Sequence, residues 1–205
     1  MNTNNWIFKM SRHSIWCGML IGIGGLAYLT VGGPLGALLF SFGLIGISHT
    51  GYRCLFTGIA GIDKSTWEDW FSLLWILIMN FIGCMIIASI VRFGGMDINT
   101  SLEPIINSRL NSDYFALFAR SIFTGIIMHL CVWIAKYKQN YIPILLGVPL
   151  FILCGLPHCV ADTFYYSFLI LNDLDFSFIL PWIMSVIGNM IGCNAAKYFD
   201  VCPES

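Results

Sequence analysis

The stretch CGLPHCVADT, residues 154–163, interrupts an apolar segment that runs from about 142 to 171. Its glycine and proline disfavour a continuous helix, and His158 and Asp162 are polar groups in an otherwise apolar run. The segment is longer than the roughly 20 residues that a helix needs to cross a bilayer. Because unwound backbone at membrane depth must be buried in protein or line a cavity, the sequence predicts a broken transmembrane helix beside a cavity.

A second long apolar segment, 35–62, is interrupted in a similar way. It contains SHTGYRCLFTG, residues 48–58, with Arg53 and Thr57 near its middle. Four other apolar segments are each long enough for one span, at about 14–31, 70–91, 115–135 and 176–199. The sequence therefore predicts an all-α integral membrane protein with six spans, of which the second and fifth are broken.

The composition supports a membrane protein throughout the chain. Only 10% of the 205 residues are charged and 58% are hydrophobic, with a net charge of -1. A soluble domain is about one quarter charged. We therefore exclude a soluble enzyme, expect the lipid bilayer as surroundings, and expect no nucleic-acid partner, since the chain has no excess of basic residues.

Positive charges indicate the orientation. With six spans both termini lie on one side of the membrane, and that side receives Lys9, Arg12, Lys64, Lys136, Lys138 and Lys197, against Arg92 and Arg109 on the other. The positive-inside rule makes the first side cytoplasmic. We expect a short cytoplasmic N-terminus (1–13), a six-span channel domain (14–199) and a cytoplasmic C-terminus (200–205). We expect the protein to lie in the inner (cytoplasmic) membrane.

The third and sixth spans share a short repeat. Asn80-Phe-Ile-Gly-Cys84 recurs as Asn189-Met-Ile-Gly-Cys193. Each half of the chain then reads as helix, broken helix and helix, and halves with an odd number of spans insert in opposite orientations. Paired broken helices at matching positions are the best sequence indication of a transport site.

Ionisable residues within the spans are the candidate functional groups, because charge at membrane depth is costly. His158 could pass a proton to a weak-acid anion, or could be a neutral hydrogen-bonded ring. Arg53 could attract an anion or could form a structural ion pair, most simply with Asp162. Arg120, at the outer end of the fourth span, is interpreted as reaching toward the membrane surface.

The sequence predicts no cofactor and no metal. The remaining histidines within the spans, His49 and His129, are interpreted as packing or hydrogen-bonding residues. No His or Cys spacing matches a metal site, and seven of the eight cysteines lie in apolar runs, where free thiols are usually buried. No nucleotide-binding or nucleophile motif is present, so we expect no enzyme.

The two broken segments resemble the formate/nitrite transporter family of pentameric anion channels. Gly155-Leu-Pro-His-Cys-Val-Ala-Asp162 is similar to the family's G-F-E-H-S-x-A-N at the broken fifth helix. Phe40-Ser-Phe-Gly-Leu-Ile, followed by Gly51-Tyr-Arg-Cys-Leu-Phe-Thr57, is similar to F-S-L-G-L-I and G-x-[DE]-L-F-T at the broken second helix. Asn80 and Asn189 lie in N-x-x-G elements like those of the family, and the resemblance covers roughly 14–199.

The resemblance implies a fold and roles for particular residues. The protomer would be aquaporin-like, with two inverted three-helix halves, and would assemble as a homopentamer. His158 would be the central pore histidine, Thr57 would belong to the mobile loop of the second helix, and Arg109 would concentrate anions in an outer vestibule. The constrictions and pore wall would comprise Phe40 and Phe151 (outer), Leu44, Leu55 and Phe56 (inner), and Met128.

The sequence departs from the family pattern at several pore positions. Pro157 replaces the acidic residue before the histidine, and Arg53-Cys54 replaces the acidic residue of the second-helix motif. Asp162 replaces the family's asparagine four residues after the histidine, and Gly125 replaces the family's asparagine of the fourth span. Two lost acids and one gained arginine make the pore centre more positive, which Asp162 partly offsets.

The leading hypothesis is a channel or proton-linked transporter for small monovalent weak-acid anions such as formate, nitrite or hydrosulfide. Its partners would be the anion, a proton and the lipid bilayer. The alternative is a facilitator for small neutral solutes with the same architecture, in which His158 and Arg53 are structural. A membrane-embedded redox or metal enzyme is a third class, supported only by the number of Cys and His residues.

Overall fold

A computed structural model describes residues 3–50, 54–60 and 66–198. The described residues do not include Arg53, Lys64 or Cys202. For His49 and Lys197 the structure describes the backbone alone. The described residues form helices and contain no strand. In chain order the helices are α1 (Thr3–Val31), α2 (Gly33–Thr50), α3 (Phe56–Ile59), α4 (Trp67–Phe93), α5 (Asn99–Leu110), α6 (Tyr114–Lys138), α7 (Ile142–Leu153), α8 (Cys159–Asp173) and α9 (Ile179–Tyr198).

Three helices are long and apolar enough to cross a membrane, namely α1, α4 and α6. Shorter apolar helices occur within α2, α7 and α9. Both predicted breaks are present, one between α2 and α3 and the other between α7 and α8. The all-helical membrane fold with two broken helices is therefore confirmed, while the count of six spans stays a prediction.

The second break illustrates how sequence determines backbone here. Gly155 has φ +65°, in the left-handed region that glycine adopts without a steric penalty. Its N–H and that of Leu156 still bond to carbonyls in the last turn of α7. After Pro157, His158 has an extended backbone, and α8 begins at Cys159. Residues 154–158 therefore separate α7 from α8.

Glycines let the long helices of each half cross at close range. A Cβ added to Gly18 of α1 would lie 2.1 Å from the backbone oxygen of Asn80 in α4. In the second half, a Cβ on Gly125 of α6 would lie 2.3 Å from the backbone oxygen of Asn189 in α9. Small residues at such crossings are typical of membrane helix pairs. The two crossings correspond, as expected for repeated halves.

The connection 92–114, which the sequence indicates only as a loop, contains α5. Leu102, Ile106 and Arg109 are spaced along one face of this helix and are buried. The helix lies against α1 and α8. The 3.6-residue spacing was present in the sequence, but the polar residues between these positions obscured it. This helix matters for the site because it supplies Arg109.

Candidate functional site

Two asparagines hold the two breaks. Asn80 Oδ1 accepts a hydrogen bond from the Phe56 N–H (2.9 Å), and its Nδ2 donates to the carbonyls of Ser14 (2.8 Å) and Cys54 (2.9 Å). Asn80 is fully buried. The bonds to Phe56 and Cys54 satisfy backbone groups at the break, which is required at this depth, and the bond to Ser14 anchors the break to α1.

Asn189 repeats this pattern in the second half. Its Oδ1 accepts from the Cys159 N–H (2.8 Å), and its Nδ2 donates to the carbonyls of Ser121 (2.8 Å) and Pro157 (3.1 Å). Each asparagine thus connects the first helix of its half to the break and to the first residue of the helix that follows the break. The repeated asparagine therefore makes equivalent contacts in the two halves.

The cysteines of the repeat contact the opposite half. Cys84 Sγ lies 3.3 Å from the carbonyl oxygen of Gly18 and 3.4 Å from that of Val160 in α8. Cys193 Sγ lies 3.4 Å from the carbonyl oxygen of Gly125 and 3.5 Å from that of Thr57 in α3. The sequence indicated only buried thiols. Their crossed contacts show that α4 and α9 each support both breaks.

His158 lies where the two breaks meet. Its Nδ1 accepts the Ala161 N–H (3.0 Å) and so caps α8, while its Nε2 lies 3.2 Å from Thr57 Oγ1 in α3. The ring stacks on Phe151 with centroids 5.3 Å apart, and both His158 and Thr57 are buried. Since Nδ1 is an acceptor, a neutral ring carries its proton on Nε2 and donates it to Thr57; this tautomer is assigned from the hydrogen bonds.

Arg109 and Asp162 form a buried ion pair. Arg109 Nε lies 3.3 Å from Asp162 Oδ1, and its Nη1 donates to the Gly155 carbonyl at 2.8 Å. The structure therefore places Arg109 beside Asp162, the carboxylate for which the sequence suggested Arg53. Arg53 lies outside the described residues. The sequence missed the observed pair because it depends on α5 packing against α8.

A cavity of about 190 Å³ connects these groups. Arg109 and Ser108 line it from α5, Tyr28 lines it from α1, and His158 and Asp162 line it from the second break and α8. Phe151 is also part of its wall. One cavity therefore brings together the imidazole ring and an ion pair, with Arg109 as the cation.

The predicted constriction residues lie in the interior of the protein. Phe40 and Phe151 contact each other edge to face, with ring centroids 6.3 Å apart. All six residues belong to one buried apolar cluster: Phe40, Leu44, Leu55, Phe56, Met128 and Phe151. Apolar constrictions in channels can exclude water and ions. Their individual roles stay predictions.

The remaining candidates lie apart from the cavity. Arg120 donates from Nη2 to Ser112 Oγ (2.7 Å) at the start of α6. His129 Nε2 is buried, and no hydrogen-bond partner for it occurs in the described part of the chain. Six of the described cysteines are buried and Cys154 is exposed. Within the described ranges, no group of three or more His, Cys, Asp or Glu residues is placed to hold a metal ion.

Comparison with known proteins identifies the family. The formate/nitrite transporter model matches residues 2–196. The chain belongs to the formate/nitrite transporter family. The structure is similar to that of a pentameric formate channel with formate bound, with a TM-score of 0.83, 22% identity and 98% of each chain covered.

A second formate/nitrite-type structure, described as an FNT family ion channel, covers 98% of this chain and 93% of its own, with a TM-score of 0.79 and 17% identity. No protein with a curated description matches the sequence. At these identities the solved structures establish the shared fold. Family membership makes the chain an integral membrane protein of a channel and transporter family.

Proposed function

We propose that the chain is a channel or proton-linked transporter for small monovalent weak-acid anions, such as formate, nitrite or hydrosulfide. The observation that carries this proposal is the contact between His158 and Thr57, which come from two opposed broken helices. A hydrogen-bonding pair lies there between a cavity that contains a buried arginine and a cluster of apolar rings.

Arg109 gives the cavity its affinity for anions. Its guanidinium stays charged at physiological pH and is weakly hydrated compared with an ammonium group, which suits it to an anion that leaves water. The Asp162 carboxylate counters this charge. The anion is therefore attracted into the cavity but is not held so strongly that it cannot leave.

Protonation of the anion lowers the free-energy cost of moving it past the apolar rings. A bare anion would lose its hydration at Phe40 and Phe151 at high cost, whereas the neutral acid passes at much lower cost. His158 and Thr57 supply a buried O–H or N–H that can donate to the solute between the rings. An unprotonated anion passing a positively charged His158 fits less well, because a proton on Nδ1 would remove the hydrogen bond that caps α8.

The assembly and orientation extend the same proposal. The chain has six spans with both termini in the cytoplasm and lies in the inner membrane as a homopentamer. An outward apolar face on α4 supports burial in lipid or against another subunit, since Leu74, Ile78, Ile82, Ile86 and Ile90 are all exposed. The pentameric state of the similar formate channel supports the stoichiometry.

The alternative function is a facilitator for small neutral solutes. One observation favours it: Arg109 and Asp162 together contribute no net charge to the cavity. A cavity without net charge attracts anions less than an unpaired arginine would.

Flux measurements on reconstituted protein separate the two functions. Purified full-length chain in liposomes is supplied with formate, nitrite, hydrosulfide or lactate at two pH values, and solute uptake and internal pH are recorded. Uptake of one or more of these anions with a pH change supports the proposal. Rapid flux of an uncharged solute, with none of the four anions transported, would establish the alternative.

A further inference from the structure

We propose that the Arg109–Asp162 pair takes up one anion together with one proton, and that Asp162 Oδ2 is the atom that holds the proton. This inference rests on the proposed function and specifies where its proton step occurs. It concerns a carboxylate that stands where the family pattern has an asparagine, and an amide cannot act as such a carrier.

The two oxygens of the Asp162 carboxylate have different surroundings. Oδ1 faces Arg109 Nε at 3.3 Å. Oδ2 is buried and has no hydrogen-bond partner among the described residues. Asp162 is only 1% exposed, yet it lines the cavity that also contains Arg109 and His158. Asp162 thus lines the cavity beside a buried cation and has one carboxylate oxygen with free acceptor capacity.

The other titratable groups near Asp162 leave Arg109 as the dominant charge. The positive charge of Arg120 in α6 also acts on Asp162. Arg120 is only half-buried, so water screens it more effectively than Arg109. The other titratable groups are His158, which lines the same cavity and is neutral in the tautomer assigned above, and Cys159, Tyr165 and Tyr166 of α8, whose ordinary forms at neutral pH carry no charge. Tyr28 of α1 also lines the cavity.

Charge balance then couples the anion to a proton. In the empty cavity, the Asp162 carboxylate balances the Arg109 guanidinium. An anion that enters places two negative charges beside one buried cation, and two such charges cannot both remain ionised at low cost. A proton from the outer water adds to Asp162 Oδ2, so that the anion replaces the carboxylate as the counterion of Arg109.

Transfer of that proton completes the cycle. The Oδ2–H bond breaks as the proton forms a bond to the anion, which becomes the neutral acid and moves inward toward Phe40 and Phe151. The electron pair of the broken bond stays on Asp162, whose carboxylate pairs with Arg109 again. One anion and one proton cross per cycle, without net charge and without oxidation or reduction.

Simultaneous recording of formate uptake, internal pH and current tests this coupling. Full-length protein is reconstituted in liposomes at a clamped voltage, with formate as the probe. The wild type should carry one proton per formate and no net current. Asp162→Asn leaves Arg109 without a counterion, so formate should enter without a proton. The formate flux should then carry negative charge and should no longer depend on the outer pH.

Two further variants make the test specific. Asp173→Asn removes a carboxylate from the exposed end of α8 and should behave as the wild type. Asp162→Glu retains a carboxyl and should keep one proton per formate. These ratios would not change if Asp162 merely braced the fold, since a structural defect lowers the flux of formate and proton together.

The possible results separate this inference from the proposed function. If Asp162→Asn still carries one proton per formate, the inference is overturned and the transport function stands. If the wild type itself moves formate as a charged anion without a proton, the inference fails even if no variant folds. A wild type that transports none of the four anions overturns the proposed function as well.

Discussion

At the scale of single residues, His158 connects two separate elements through its two ring nitrogens. Nδ1 caps α8, whereas Nε2 contacts Thr57 of α3. Replacing the histidine therefore disturbs the start of a helix as well as the candidate transport site. Thr57 is the sharper probe, because its hydroxyl contacts the ring and does not cap α8.

We expect Thr57→Val to slow formate uptake. Valine preserves the shape of threonine but cannot accept the Nε2–H or donate to a solute, and loss of about 1 kcal/mol of hydrogen bonding corresponds to about a fivefold slower initial rate. Thr57→Ser keeps the hydroxyl and should stay close to the wild type. Equal rates for the valine and serine variants would exclude a role of the hydroxyl in transport.

The candidate site was predictable in part, for reasons that differ between residues. His158 and Thr57 stand out in the sequence because each is polar within an apolar run beside helix-breaking residues. The partner of Asp162 was not evident, because Arg109 is 53 residues away and reaches it only through the packing of α5. Local chemistry is visible in one sequence, whereas a contact between distant helices depends on the tertiary fold.

At the scale of elements, the two breaks are equivalent structures. Asn80 and Asn189 make the same three kinds of backbone contact in their own halves. The breaks themselves were predictable because Gly, Pro and polar residues are local signals. The role of the asparagines was suggested only by their repetition, since nothing near them in sequence indicates which backbone groups they contact.

We expect Asn80→Leu and Asn189→Leu to destabilise the protein to a similar extent. Each leaves two backbone groups of a break without their side-chain partner, and each unsatisfied group costs about 1–3 kcal/mol. The free energy of unfolding, measured by denaturant titration in mixed micelles, should fall by about 2 kcal/mol or more. Asn107→Leu, at an exposed position of α5, serves as the control. A loss confined to one asparagine would contradict the equivalence.

The helix crossings give a second prediction at this scale. Gly18→Ala and Gly125→Ala place a methyl group within 2.1 and 2.3 Å of backbone oxygen atoms in the crossing helix, so the helices must separate. We expect a loss of about 1–3 kcal/mol in the free energy of unfolding. Gly46→Ala is the matched control, because its methyl group would meet only the flexible end of Leu20, at 3.3 Å. Equal stability of Gly125→Ala and Gly46→Ala would show that the crossing tolerates separation.

At the scale of the whole molecule, the candidate site is built by one chain. Thr57 comes from the first half and His158 from the second, while Arg109 and Asp162 complete the cavity from the connection and α8. Each subunit of the proposed pentamer should therefore contain its own complete transport path. A path shared along the fivefold axis would instead require every subunit to be intact.

Mixed pentamers distinguish these two arrangements. Wild-type chain and a transport-inactive variant that still assembles, identified among the His158 substitutions, are co-expressed with different tags, purified as mixed assemblies and reconstituted. If each subunit conducts independently, formate uptake should fall in proportion to the variant fraction, to about half at equal amounts. If one path required all five subunits, random mixing at equal amounts would leave about one thirty-second of the activity. A steep, non-linear loss would therefore contradict a path contained within each chain.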